Sequence, residues 1–354
     1  MTPFYSYNSP DYRLDVYTTF YGPEVYPVET NISLEEYTDA YRVSDPIQPQ
    51  DMDPTIPAFT DSSIKFLFDN SYVYGHVITG WMYHLLKEYE ANKDADFTVL
   101  FNRRPEEPGM VLNHTSNFTE YLYQRLLDKG IKVQYIDSPK FYASNFIAMS
   151  KEGVNVRYSR LKNVADFFSE GLDYSTPPTR KVYLSRGKTS TYNGNQGVDL
   201  DADTIADDTS KIHEIRNREI YKFSQRIDDE KSIEDYLMTL GFEIVYPEDY
   251  SSYKDQLQIF ASSKTVVSIT SSGLSPCFVM APSTSVFEIA SPVGTVVNDD
   301  GSQHPEYLDF HDHYKVLASI NENFYAAIPT RSKKASDVIA SIEANPSVKA
   351  ALLA

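Results

Sequence analysis

The chain has 354 residues, beyond the usual size of one core, so the length points to two domains, and 41% hydrophobic with 23% charged residues sets aside the disordered and fibrous classes. Its 32 Lys and Arg against 50 Asp and Glu give a formal charge of −18, which repels nucleic acid and anionic membrane surfaces and excludes them as partners. No stretch reaches the ~20 apolar residues of a transmembrane span, and the single Cys277 cannot form an internal disulfide.

Residues 1–60 carry eight prolines among tyrosines, with little helical period. They read as an extended, wrapping segment. The 28 tyrosines of the chain suit a surface that grips polar ligands or partners, and fit equally a lineage with tyrosine-biased composition. Three Asn-x-Ser/Thr sequons, at Asn31, Asn113 and Asn117, are taken as chance because no basic-then-apolar leader opens the chain. The corresponding expectation is a cytoplasmic protein.

From Ile64 the pattern changes. IKFLF (Ile64–Phe68) is a short apolar run, residues 77–89 have helical period, and FTVLF (97–101) and KVQYI (Lys132–Ile136) read as strands. Between those strands lies a periodic stretch over 118–127 that stops at Gly130, as helices often do. Strand, helix and strand in that order predict a parallel sheet. Residues 173–179, with Pro177 and Pro178, read as a hinge between domains.

Beyond it the alternation repeats. KVYLSR (181–186) is a strand, 233–240 a helix stopped by Gly241, FEIVY (242–246) a strand, 253–261 a helix, and TVVSIT (265–270) and SVFEIA (Ser285–Ala290) strands. The fold class expected is α/β. The domains expected are an extended segment 1–60, an α/β acceptor-side domain 61–175, and an α/β nucleotide-sugar-binding domain 176–354 ending in a helix.

In an open parallel sheet, ligands bind beyond the carboxyl ends of the strands. Three such places carry chemistry. After KVYLS come Arg186, Gly187 and Lys188; a guanidinium fork pairs two phosphate oxygens and a lysine adds a point charge. After TVVSIT come Ser271, Ser272, Gly273 and Leu274 at the start of a short helix, where small residues and helix-start N–H groups suit an anion, or simply form a serine-capped turn. Within SVFEIA, Glu288 is an acid in an apolar strand that needs a partner, either a ribose hydroxyl pair or a structural salt bridge.

These residues resemble glycosyltransferase family 61. The family's pattern, a strand ending Tyr-Ile-Ser-Arg, then Arg-x-x-x-Asn-Glu, Gly-Phe, an acidic turn, a Gln near a helix start, His-Gly-Ala-Gly-Leu and an acid on the next strand, is met in order. Here it reads Tyr183, Leu184, Ser185 and Arg186; Arg226 to Glu230; Gly241 and Phe242; Glu248; Gln256; Ser271, Ser272, Gly273 and Leu274; and Glu288. A weaker match extends to residues 72–84, where His76 precedes an aromatic helix that includes Trp81. The chain departs from the family at Thr270, Ser271 and Ser272, which stand where His-Gly-Ala is usual, and at Asp229, which stands where Asn is usual.

The resemblance implies two Rossmann-like domains facing a cleft, the GT-B arrangement. It implies an inverting, metal-independent transfer of a sugar from a nucleotide diphosphate sugar, a UDP-sugar, to a glycan or polysaccharide acceptor, with no cofactor. Arg186, Lys188, Glu230, Gln256, Ser271, Ser272, Gly273, Leu274 and Glu288 would bind the donor. His76 would be the base that deprotonates the acceptor. A catalytically degenerate nucleotide-binding relative and a structural or interaction protein stay open as alternatives, as does a homo-oligomer.

The acidic triplets at Asp94 to Asp96 and Asp201 to Asp203 are expected by chance in so acidic a chain, and the histidines at 304, 311 and 313 lack a closed four-ligand pattern, so no metal is assigned. No Gly-x-Ser-x-Gly elbow supports a hydrolase, and no Gly-x-Gly-x-x-Gly supports a dinucleotide oxidoreductase.

Overall fold

The computed structural model describes residues 5–8, 11–15, 24–27, 42–43, 49–68, 78, 81–102, 113–136, 140–147, 155–185, 227, 229–290, 310–329 and 334–354. The chain divides into two compact units, Met1–Glu107 with Thr115–Val164, and Pro108–His114 with Ala165–Ala354. No helix among the described residues is long and apolar enough to cross a membrane.

In the first unit, β6 (Ile64–Phe68), β7 (Phe97–Asn102), β8 (Lys132–Ile136) and β10 (Phe146–Ile147) form a parallel sheet in the order β10-β6-β7-β8. The runs IKFLF and FTVLF are apolar apart from Lys65 and Thr98, because a parallel strand is covered on both faces. Phe66, Phe68, Leu100 and Phe101 are fully buried. Phe68 meets Trp81 edge-on at 6.0 Å, just ahead of α1 (Met82–Ala91). The α-helical span Met82–Ala91 falls largely within the 77–89 period of the sequence, and Trp81 just before it already has helical backbone (φ −62°, ψ −41°).

Helix α2 (Asn113–Asp128) ends as its sequence predicts. Gly130 takes φ +78°, and the N–H of Ile131 reaches back to the carbonyl of Leu126 at 2.9 Å. The described parts of residues 1–60 include five extended strands. The strands β3 (Glu24–Pro27), β4 (Arg42–Val43) and β5 (Ala58–Phe59) join β9 (Lys140–Ala143) in a parallel sheet. Likewise β1 (Tyr5–Asn8) and β2 (Asp11–Asp15) join β11 (Asn155–Arg157) in an antiparallel one.

One ion pair of this unit gives a pH-dependent prediction. The Lys65 ammonium is 1% exposed and lies 2.9 Å from Asp61. The Ser63 hydroxyl and this ammonium hold the Asp61 carboxyl well below its ordinary value of 3.8. A depressed carboxyl stabilises the fold above its unfolded value and loses that contribution as acid protonates it. The Asp61 side chain is 69% exposed, so the effect is small. The unfolding temperature of Asp61→Asn should therefore lie slightly below that of the unaltered chain at neutral pH. The gap should close as pH falls below 3.8, and a gap that widens in acid would contradict this assignment.

The second unit is built on β12 (Arg180–Leu184), β13 (Glu243–Val245), β14 (Ser263–Ile269), β15 (Ser285–Ala290) and β16 (Phe324–Pro329), all parallel, in the order β13-β12-β14-β15-β16. Numbered from the first strand of this unit, that is the doubly wound order 2-1-3-4-5 of Rossmann-like α/β folds. Each connection carries a helix: α4 (Glu230–Thr239) after β12, α5 (Tyr253–Ser262) after β13, a 3-10 helix Ser272–Val279 after β14 and α6 (Phe310–Ser319) after β15. Two more, α7 (Ala335–Glu343) and α8 (Pro346–Leu353), follow β16.

Alternation along the strands sorts the core. Tyr183, Val267, Ile269, Phe287, Ile289 and Ile328 pack with Ile233 and Leu237 of α4, Val338 and Ile342 of α7, and Leu352 of α8. Val266, Ser268, Val286 and Glu288, at the alternate positions of β14 and β15, are just as buried. The other covering layer is α5, the 3-10 helix and α6.

The proline-rich stretch 173–179 lies inside this unit. The Asp173 N–H donates to the Gln258 side chain at 2.8 Å, the Gln258 amide donates back to the Asp173 carbonyl at 2.9 Å, and the Tyr174 hydroxyl reaches the Val279 carbonyl at 2.7 Å. The division between units falls at 164/165, within helix α3 (Tyr158–Ser169).

Candidate functional site

The strand order of the second unit reverses between β12 and β14, and in such a sheet the crevice at that reversal, beyond the carboxyl ends, is where ligands bind. Leu184 of β12 pairs with Ser268 of β14, so the two strands end almost level. Ser185 and Thr270, the residues through which the chain leaves these strands, therefore emerge side by side at the ~4.8 Å spacing of neighbouring strands.

Ser185 is held on both sides. Its N–H continues the ladder to the Val245 carbonyl at 2.9 Å, and its buried hydroxyl donates to Glu234 Oε1 at 2.6 Å. The Tyr246 hydroxyl, just past β13, donates to the same oxygen at 3.1 Å. Burial, then this hydrogen bond, push the Tyr246 phenol up to about 12. One turn before Glu234, Glu230 opens α4 and accepts from the Tyr183 hydroxyl at 2.8 Å. An acid at that position also meets the positive end of the helix dipole. Asp229 caps the helix in the left-handed region (φ 59°, ψ 52°), a conformation that Asn and Asp tolerate better than other side chains, so Asp in place of the family's Asn keeps the local backbone.

After β14 the chain is extended at Ser271 (φ −164°, ψ 155°) and then turns into the 3-10 helix. The Leu274 N–H closes the first turn on the Ser271 carbonyl at 2.9 Å. First-turn N–H groups have no carbonyl ahead of them within the helix, and they point at whatever lies beyond the strand. Gly273 is half-buried there and Leu274 fully buried. The helix spans Ser272–Val279, and its 3-10 winding accommodates Pro276.

The comparison with known families falls on these elements. Residues 204–287 match the family model Glycosyltransferase 61, a span that takes in α4, β13, α5, β14, the 3-10 helix and the first half of β15. That match supports membership of glycosyltransferase family 61. The chain is a glycosyltransferase, and its substrates are accordingly a sugar donor and an acceptor. No curated protein matches the chain.

Within the glycosyltransferase 61 domain and around it, the expected site residues have the following places. Ser271, Ser272, Gly273 and Leu274 form the turn just described. Gln256, on α5, donates its side-chain amide to the Pro247 carbonyl at 3.0 Å and so ties α5 to the turn after β13. Glu288 is fully buried; it accepts from Thr270 Oγ1 and from the Tyr325 hydroxyl, each at 2.5 Å, where a ribose hydroxyl pair was one expectation. His76, Arg186 and Lys188 lie outside the described residues, as does the acidic triplet at 201–203. Of the other acidic triplet, Asp96 pairs with Lys132 at 2.6 Å. His311 and His313 fall in helix α6, not on a strand from which a two-residue spacing chelates. Among the described residues no group of three metal-ligating side chains gathers.

Cys277 is fully buried. Full burial, then the charge of Glu288, push its thiol far above the ordinary range. Sequence reasoning missed Glu234, Tyr246 and Tyr325. A signal for Glu234 existed, because it follows Glu230 by one helical turn and so shares its face.

Proposed function

We propose that this glycosyltransferase is inverting and metal-independent, and that it moves a sugar from a nucleoside diphosphate sugar, a UDP-sugar, to a glycan or polysaccharide hydroxyl. The observation that carries the reading is the level, side-by-side exit of β12 and β14 at the reversal of the sheet. It brings the residue preceding Arg186 next to the turn of Ser271, Ser272, Gly273 and Leu274. In so acidic a chain, a diphosphate needs such a local concentration of guanidinium, ammonium and amide donors.

In this reading Arg186, Lys188 and the first-turn amides neutralise the diphosphate as the glycosidic bond breaks and negative charge collects on the leaving group. Glu230 shapes the pocket floor through Tyr183, and Gln256 through the turn after β13. His76 of the first unit removes the proton of the acceptor hydroxyl as it attacks the anomeric carbon from the face opposite the leaving group, which inverts the configuration. The two α/β units would then work as a GT-B pair.

A thermal-shift screen of nucleotide sugars tests the reading. A donor present at a hundred times its Kd adds about 2.7 kcal/mol to the folded state, or roughly 5 to 10 °C for a unit of this size. The expected result is such a shift with one UDP-sugar, and release of UDP when acceptor is supplied. A chain that no nucleotide sugar stabilises would refute the donor assignment. A shift without turnover would favour the degenerate, binding-only relative, for which the absence of the family's histidine at the turn is the specific sign.

A further inference from the structure

The turn after β14 is braced from beneath by a buried acid. Thr270, 1% exposed, donates its N–H to the Ile289 carbonyl at 3.1 Å and its hydroxyl to Glu288 Oε1 at 2.5 Å. From the next strand, Tyr325 of β16 donates to the other oxygen, Oε2, at 2.5 Å. A hydroxyl–carboxyl–hydroxyl chain thus crosses β14, β15 and β16 and ends one residue before the cap of the 3-10 helix. Glu288 itself has no exposed surface.

We propose that Glu288 is a positioning residue that acts through Thr270, fixing the first-turn amides of Ser272–Val279 on the donor diphosphate without touching the donor itself. The inference rests on the reading of that turn as the diphosphate site. Two features of the brace support it. Amides stabilise developing charge only when they are already aimed, so a displaced turn loses affinity even though every amide is still present. A hydroxyl has one hydrogen, and Thr270 donates it to Glu288, so the acid also fixes the orientation of that hydroxyl. Burial, and then the charge of Glu288, push the Tyr325 phenol far above its ordinary range, so it stays a donor at any working pH.

Calorimetry on the full chain with inorganic pyrophosphate and with UDP tests the proposal. Thr270→Val removes the hydroxyl with little change of shape and should weaken both ligands about tenfold, the equivalent of one hydrogen bond to a charged group. Thr270→Ser keeps the hydroxyl and should restore binding to near the original affinity. Tyr325→Phe should weaken both ligands in the same direction. Glu288→Gln should lower pyrophosphate and UDP by the same factor, leaving their ratio unchanged.

A Thr270→Val chain with lowered thermal stability but undiminished pyrophosphate affinity would make the brace merely structural and overturn the proposal. So would a Glu288→Gln chain that loses UDP while holding pyrophosphate, because that pattern marks a ribose contact. If the unaltered chain binds neither pyrophosphate nor UDP, the diphosphate reading of the turn fails, and the brace loses its function with it.

Discussion

Arg186→Ala should cost about a hundredfold in affinity for UDP, while the unfolding temperature stays within about 1 °C of the unaltered chain. The magnitude follows from the fork of the guanidinium, which can place two charge-assisted hydrogen bonds on two phosphate oxygens at once. Lys188→Ala, which removes a single point charge, should cost less. The formal charge of −18 makes the loss larger than it would be in a neutral protein, since little else near the ligand is attractive at long range. Calorimetry with UDP at low and at physiological salt reads both effects. Equal affinities for Arg186→Ala and the unaltered chain would remove Arg186 from the site and leave the helix-start amides as its sole described component.

Much of the second unit could be read before its structure. TVVSIT lacks the in-out alternation of a half-exposed strand because β14 lies inside a parallel sheet covered on both faces, where Thr265 and Ser268 are buried along with Val266, Val267 and Ile269. Gly241 marked the end of α4 for a reason visible in its backbone: φ is +84°, and the Phe242 N–H returns to the Leu237 carbonyl at 3.1 Å. The turn of Ser271 to Leu274 was legible for a similar reason, since small residues after a strand leave the backbone open to approach.

What stayed hidden are pairings across long stretches of sequence. Glu288 meets Tyr325 across 37 residues and Glu234 meets Ser185 across 49, and neither pair can be found without the strand order and register. A buried acid announces that it has a partner without saying which. The division between units was hidden for another reason. It falls at 164/165 inside a continuous amphipathic helix with neither Gly nor Pro, whereas the stretch with Pro177 and Pro178 is fastened by Gln258 and Tyr174. Prolines mark where a chain cannot be helical, which is a weaker statement than where one unit ends.

The second large effect is expected at Glu234. It is 3% exposed, and through one oxygen it joins α4 to the ends of two strands, by way of the Ser185 and Tyr246 hydroxyls. Glu234→Ala removes that shared acceptor and opens a small cavity, and should lower the stability of the second unit by about 3 kcal/mol. Glu234→Gln keeps the shape and one acceptor oxygen and should cost about 1 kcal/mol. Much of the larger loss is the penalty on one buried and one partly buried hydroxyl deprived of this partner. Adding Ser185→Ala and Tyr246→Phe to Glu234→Leu should therefore recover part of it, since a cluster made apolar throughout has less polar surface to desolvate. Chemical denaturation of the four chains measures these differences. A triple variant less stable than Glu234→Leu alone would show that the hydroxyls stabilise the fold through other partners and that Glu234 is not the centre of the cluster. Because Ser185 directly precedes Arg186, Glu234→Gln should also weaken UDP, by less than the arginine substitution does. Loosening the end of β12 blurs the aim of the guanidinium without removing its charge.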